Sequence, residues 1–159
     1  LLIASTNGFY QNAFGGPTST LINPALYLAF PSLLYDSWVT IGRSDQVDNA
    51  MLNIGIDWTD FENGGDISTS NGAWFATPAD AQVLAGSDLR VLVGQFTIYG
   101  LNSAGNFSAI WGVLNLQGKL GDFETFQARN QDFSYSIIPA PGALALLGIA
   151  GIASRRRRK

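Results

Sequence analysis

The chain predicts an all-β fold: a single antiparallel β-sandwich or jelly-roll-like domain over residues 1–136, followed by a C-terminal hydrophobic helix within residues 137–159. Three observations carry that expectation. Short apolar segments rich in aromatic and β-branched residues recur along the chain, which is how strands read. Glycine is frequent, with 18 in 159 residues, and it clusters with Asn, Asp and Pro between those segments, which is how turns read. No strand pattern alternates with a helical one, so a parallel sheet with crossover helices is not expected. The length suits one domain with a real core. A hydrophobic fraction of 47% and charged residues at only 13% exclude a disordered chain and a long coiled coil.

The elements follow in order. Residues 1–5 read as the end of a strand running into the turn Asn7-Gly8. They have no basic n-region and only a short apolar run, so they are not an intact signal peptide; the chain is either processed or, as its strand-like start favours, a fragment lacking a strand or two. Further turns are expected at Gly15-Gly16-Pro17, Asn23-Pro24, Asn63-Gly64-Gly65-Asp66, Asn71-Gly72 and Gly121-Asp122. Residues 37–42 alternate, with Trp38 and Thr40 opposite Val39 and Ile41. Residues 52–57 alternate cleanly, with Leu52, Ile54 and Ile56 on one face. Thr77-Pro78 offers an N-cap and a proline at the first helical position, predicting one or two turns of helix. Residues 90–99 carry Val91, Val93, Phe96 and Ile98, with Gly94 marking a bulge or close packing. Residues 110–119 set Ile110, Gly112, Leu114 and Leu116 against Trp111, Val113, Asn115 and Gln117. Residues 123–128 and 133–138 read as two more strands.

Composition excludes much chemistry. Histidine and cysteine are both absent. Ser-His-Asp catalysis, imidazole or thiolate metal sites, and disulfides are therefore all out. Five of the nine cations are the last five residues; without them the chain holds 4 basic and 12 acidic groups. An acidic body does not suit nucleic acid, which needs a basic patch.

The body offers weak candidates. Asp57, Asp60, Glu62 and Asp66 form the densest acidic stretch, on a glycine-rich segment whose oxygen ligands suit Ca²⁺, though the spacing is not that of an EF-hand. The alternative is a solvated loop with Asx turns. The same carboxylates are the only cluster available to a glycosidase-type acid/base pair, and no motif positions one, so no enzyme is expected. Trp38, Trp58, Trp74 and Trp111 are either core residues or a sugar-stacking platform, with Trp58 and Trp74 the pair expected nearer the surface. Asn106-Phe107-Ser108 is a formal glycosylation sequon, read here as chance.

The tail is more informative. Pro139-Ala140-Pro141 breaks the preceding strand. It is followed by the uncharged run Gly142, Ala143, Leu144, Ala145, Leu146, Leu147, Gly148, Ile149, Ala150, Gly151, Ile152, Ala153. Ser154 then leads into Arg155, Arg156, Arg157, Arg158 and Lys159. As a helix the run is about 18 Å long, against a bilayer core of about 30 Å. It is a short span, assisted by snorkelling arginines, with the cations on the cytoplasmic side. A core helix with a solvated basic end is the alternative, but the run is apolar on every face rather than striped.

Over residues 138–159 this order resembles the PEP-CTERM sorting signal of Gram-negative bacteria: a Pro-x-Pro motif, a short hydrophobic helix and a terminal arginine cluster. The family motif is Pro-Glu-Pro, and here alanine stands in the middle. The resemblance implies an exported protein, held transiently or permanently at the inner membrane. An exosortase-like enzyme would process it near residues 139–142 and sort it to the cell surface or extracellular matrix. The expected role is structural, with a surface-anchored carbohydrate-binding module, meeting extracellular polysaccharide, as the alternative. No cofactor is expected beyond the candidate Ca²⁺.

Overall fold

A computed structural model describes residues 1–101, 107–121 and 124–136. In chain order its strands are β1 (Leu2–Ser5), β2 (Trp38–Val39), β3 (Leu52–Ile54), β4 (Ile67–Ser68), β5 (Ala73–Phe75), β6 (Gly94–Gln95), β7 (Ala109–Lys119) and β8 (Thr125–Ser136), and its α-helix is α1 (Thr59–Glu62). Four single-turn 3₁₀ segments, at Ser19–Leu21, Pro24–Leu26, Pro31–Tyr35 and Ala81–Val83, fill the connections. Strands dominate the regular structure, and every strand pairing is antiparallel. Four strands form one sheet in the order β4-β1-β7-β8; β2 with β6 and β3 with β5 form two separate ribbons.

The sheet is built on a long hairpin. β7 and β8 pair from Ala109↔Ser136 to Lys119↔Thr125. β1 lies against β7 only at its near end, from Ser5↔Ile110 to Leu2↔Val113. The far half of the hairpin therefore pairs with itself alone. Two glycines on β7 sit opposite phenylalanines on β8, Gly112↔Phe133 and Gly118↔Phe126. Each ring lies over its glycine so closely that an added Cβ would stand 2.6 Å from it. The aromatic ring supplies the packing that a glycine in a strand lacks.

The core has two parts, and β2 divides them. Val39 joins Ile3, Phe9, Phe61 and Ile67 in the main cluster, while Trp38 joins Ile22 and Leu33 in a second. Opposite faces of one strand serve the two clusters, as the period of two requires. In the main cluster Phe9 meets Phe61 edge-on at 5.5 Å, and Phe96 closes a triangle at 5.6 Å and 6.3 Å. Such tilted aromatic contacts add to the area they bury.

Three expectations need correction. The clean alternation of residues 52–57 does not mark a buried face: Leu52 and Ile54 are 55% and 67% exposed. β3 sits in a two-stranded ribbon, and alternation reports sidedness without saying which side is covered. Gly55, at φ +67°, ends the strand and swings Ile56 back onto the rim of the core. The helix at Thr77 is a turn instead. Asp80 accepts from both the backbone N–H and the hydroxyl of Thr77, and a 3₁₀ turn follows only at Ala81. The α-helix lies in the acidic stretch, at Thr59–Glu62. The two strands expected over 123–128 and 133–138 are one, β8, kept continuous through a bulge near Arg129 and Asn130. The hydrophobic helix expected within 137–159 lies outside the described residues. Among those described, no helix is long and apolar enough to cross a membrane.

Candidate functional site

The acidic stretch resolves into local roles. The Asp57 carboxylate accepts from the Thr59 amide at 3.0 Å and the Thr59 hydroxyl at 2.7 Å, opening α1. Those two bonds hold its pKa below the ordinary carboxylate value. Asp60 and Glu62 are exposed in the first turn of α1, where negative charge suits the helix dipole. Asp66 accepts the Ser5 amide at 3.3 Å, tying the end of β1 to the loop before β4. Among the described residues, no group of three or more carboxylates is gathered closely enough to hold a metal ion. The four candidates are thus not brought together. In sequence they flank Phe61, which is fully buried in the main core.

The tryptophans follow the expectation only in part: Trp58 and Trp74 are more exposed than Trp38, but Trp111 is more exposed than either. Trp38 is buried. Trp58 and Trp74, the pair expected nearer the surface, pack on the main core, and the Trp74 indole N–H donates to the Thr40 carbonyl at 3.1 Å. Trp111 is the exposed one, on the sheet face opposite Ile110 and Leu114. The alternation of residues 110–119 set Trp111 on the face of Val113, Asn115 and Gln117, without saying that this face is the open one. With Val113, Asp132 and Ser134, Trp111 lines an open groove of about 320 Å³ across β7 and β8. A second, apolar cleft of about 240 Å³ lies between Ile3, Trp74, Phe96, Leu114 and Phe133 and holds no carboxylate or hydroxyl.

One carboxylate that the sequence did not single out is fully buried. Asp36 Oδ1 accepts the Asn12 amide at 2.7 Å and Oδ2 accepts the Gly16 amide at 3.1 Å, with the Ser37 amide as a further donor. Burial raises its pKa, and the three amides pull it down by less. The carboxylate clamps the loop of residues 12–16. Gly15 has no room for a side chain there, since a Cβ would stand 1.7 Å from Asp36 Oδ2.

A second buried group is uncharged. The Ser19 hydroxyl donates to Thr40 Oγ1 at 2.6 Å, and Thr40 Oγ1 donates to the Arg43 carbonyl. Asn49 Nδ2 donates to Ser19 Oγ at 2.8 Å and to the Asp45 carbonyl at 2.7 Å. Gln82 Nε2 donates to the Ile41 carbonyl at 2.7 Å, and Gln82 Oε1 accepts the Ala50 amide at 2.8 Å. Each member has a partner, which is what a structural polar network needs. The network staples the loop of residues 40–50 to the body.

The sorting motif Pro139-Ala140-Pro141, the apolar run and the cations from Arg155 to Lys159 lie outside the described residues, as does Asn106 of the sequon. No protein-family model, no curated protein and no solved structure matches this chain.

Proposed function

We propose that this is an exported structural protein of the cell surface or extracellular matrix, delivered by a PEP-CTERM-like signal at its C-terminal end. The observation that carries the reading is the order of three parts: Pro139-x-Pro141, a twelve-residue uncharged run, and a closing block of five cations. Each part has a physical job. The prolines end the strand and expose the chain to a processing enzyme. The apolar run partitions into the inner membrane, and the cations fix its orientation. In this reading residues 1–136 form one sandwich-like domain that an exosortase-like enzyme releases or passes on.

The body supports a structural role through what fills it. Its buried Asp36 carboxylate is engaged by backbone amides, and Ser19, Thr40, Asn49 and Gln82 are engaged by one another and by backbone groups. The test is the intact mass and C-terminal peptide of the protein recovered from its native cells. A species ending before Gly142 is expected. A species still ending at Lys159 overturns processing and leaves a permanent anchor.

A second reading, a carbohydrate-binding module on the same anchor, is favoured by one observation. Trp111 stands exposed beside Asp132 and Ser134 on an open sheet surface. An indole face flanked by hydrogen-bonding groups is what sugar stacking uses. Binding of soluble polysaccharide that quenches tryptophan fluorescence, and is lost in Trp111→Ala, would support it; uniform blanks on a glycan array would remove it.

A further inference from the structure

β8 is the outermost strand of the sheet, and among the described residues nothing pairs with its outer edge. It is 12 residues long and contains neither proline nor glycine. Strand edges of that length are normally blunted by charges, prolines or bulges, because bare ones recruit other strands. β8 does carry two charges and a bulge, but their arrangement is self-complementary.

The bulge sets the geometry. Leu114 pairs with Gln131 and Leu116 pairs with Ala128, so Arg129 and Asn130 together stand across from the single residue Asn115. Residues 128 and 131 therefore share a sheet face, although an odd separation puts residues on opposite faces of a regular strand. Phe126, Phe133 and Tyr135 fall on that same face. In a twofold-symmetric antiparallel pair, directly opposite residues must share a face. A regular strand cannot satisfy this about a centre lying between two residues, whereas β8, with its extra residue, can.

We infer that two copies of this chain pair edge to edge through β8, antiparallel, centred between Asn130 and Gln131. This register matches faces from residues 125–129 against 132–136 of the second copy, and leaves only the central Asn130–Gln131 pair, at the bulge itself, unmatched. It sets Phe126 against Tyr135 of the second copy and Arg129 against Asp132 of the second copy, each contact occurring twice. Phe126 is 39% and Tyr135 66% exposed in the single chain, so the pairing covers two aromatic rings that the fold leaves open. The Arg129 guanidinium otherwise reaches Gln127 Oε1, at 3.3 Å. The neighbouring register, centred between Arg129 and Asn130, also matches faces, but it sets Arg129 against Asn130 and Asp132 against Gln127. Charge therefore selects the first register.

The chain has no cysteine, so introduced thiols report contacts without interference. The experiment uses the full chain in mild detergent, with sedimentation velocity and oxidative cross-linking. A dimer is expected. Gln127→Cys mixed with Ser134→Cys should cross-link, since these exposed residues oppose one another in the register, and neither variant should cross-link alone. Arg129→Asp should raise the dissociation constant roughly tenfold, by turning two attractive pairs into repulsive ones. Adding Asp132→Arg should restore it. A monomer, a cross-link of Gln127→Cys with itself, or a dimer indifferent to Arg129→Asp overturns the inference; the last would place self-association elsewhere in the chain.

Discussion

Asp36 is the residue on which the loop of residues 12–16 depends, because its two oxygens take up the amides of Asn12 and Gly16. Asp36→Ala leaves those donors buried and unpaired, and we expect a loss of about 1–3 kcal/mol in urea unfolding. Asp36→Asn keeps one acceptor but turns an NH₂ toward the other amide, so it should fall between Ala and the parent. The same carboxyl predicts a pH dependence. Its pKa is raised above 3.8 in the fold. Between that ordinary value and the raised one, the folded state holds a proton that the unfolded chain has released. The contribution of Asp36 is thus fully present at lower pH and is lost as pH rises through the folded pKa. Asp57 has the opposite sign: its lowered pKa contributes above the ordinary value and is lost as pH falls through the folded one. Stability measured across acid pH in the parent and in Asp36→Asn should differ by a term that declines with rising pH. None of this was legible beforehand. An aspartate before Ser37-Trp38 carries no spacing signal, since its partners are amides 20 and 24 residues away. Phe61 was hidden for a related reason, its burial being masked by the carboxylates around it.

At the scale of elements, the hairpin is the part most readable from sequence. The pattern of residues 110–119 identified β7 and its inner face as far as Leu114. It failed at Leu116, which is 40% exposed, because β1 covers only the near half of the strand. The split of β8 into two expected strands has a similar origin. Asn130 sits at φ +52° inside the bulge, and the shift of phase there reads in sequence as a gap. Two glycines test the covering contacts. In Gly112→Ala the new Cβ meets the Leu2 carbonyl at 2.5 Å as well as the Phe133 ring, so the backbone must give. We expect a cost of about 1–3 kcal/mol. In Gly118→Ala only the exposed Phe126 ring is in the way, and it can swing aside. That variant should stay within about 0.5 kcal/mol of the parent. Denaturation midpoints of the pair check the contrast. Hydrogen exchange should divide the hairpin similarly, with amides of residues 109–114 slower than those of 116–119.

The whole molecule is an acidic body joined to a cationic end. Ahead of the terminal cluster twelve acidic groups outnumber four basic ones, so the body repels anionic lipid, while the five terminal cations attract it. A chain ending at residue 136 should therefore stay with the aqueous phase in flotation with anionic vesicles. The full chain should float, and should keep floating in high salt because the apolar run adds a contact that ions do not screen. At this scale the sequence announced the β class and the antiparallel pairing. It did not announce how the strands divide between one sheet and two ribbons. That division rests on contacts between residues far apart, such as Ile3 with Gly112 and Ile67, and local pattern carries no trace of them.

The register of β7 and β8 also decides how the protein takes mechanical load. β8 ends at Ser136, beside Ala109, and the cationic end of the sequence lies beyond it. A pull on that end directed away from β7 would peel the hairpin open one pair at a time, starting at Ala109 and Ser136 and meeting the grip of Phe133 on Gly112 at the fourth pair. A pull along β8 would instead shear all its pairs together. A second β8 laid along the free edge would make each β8 an interior strand, to be torn from two neighbours at once, so self-pairing would turn an open edge into a seam.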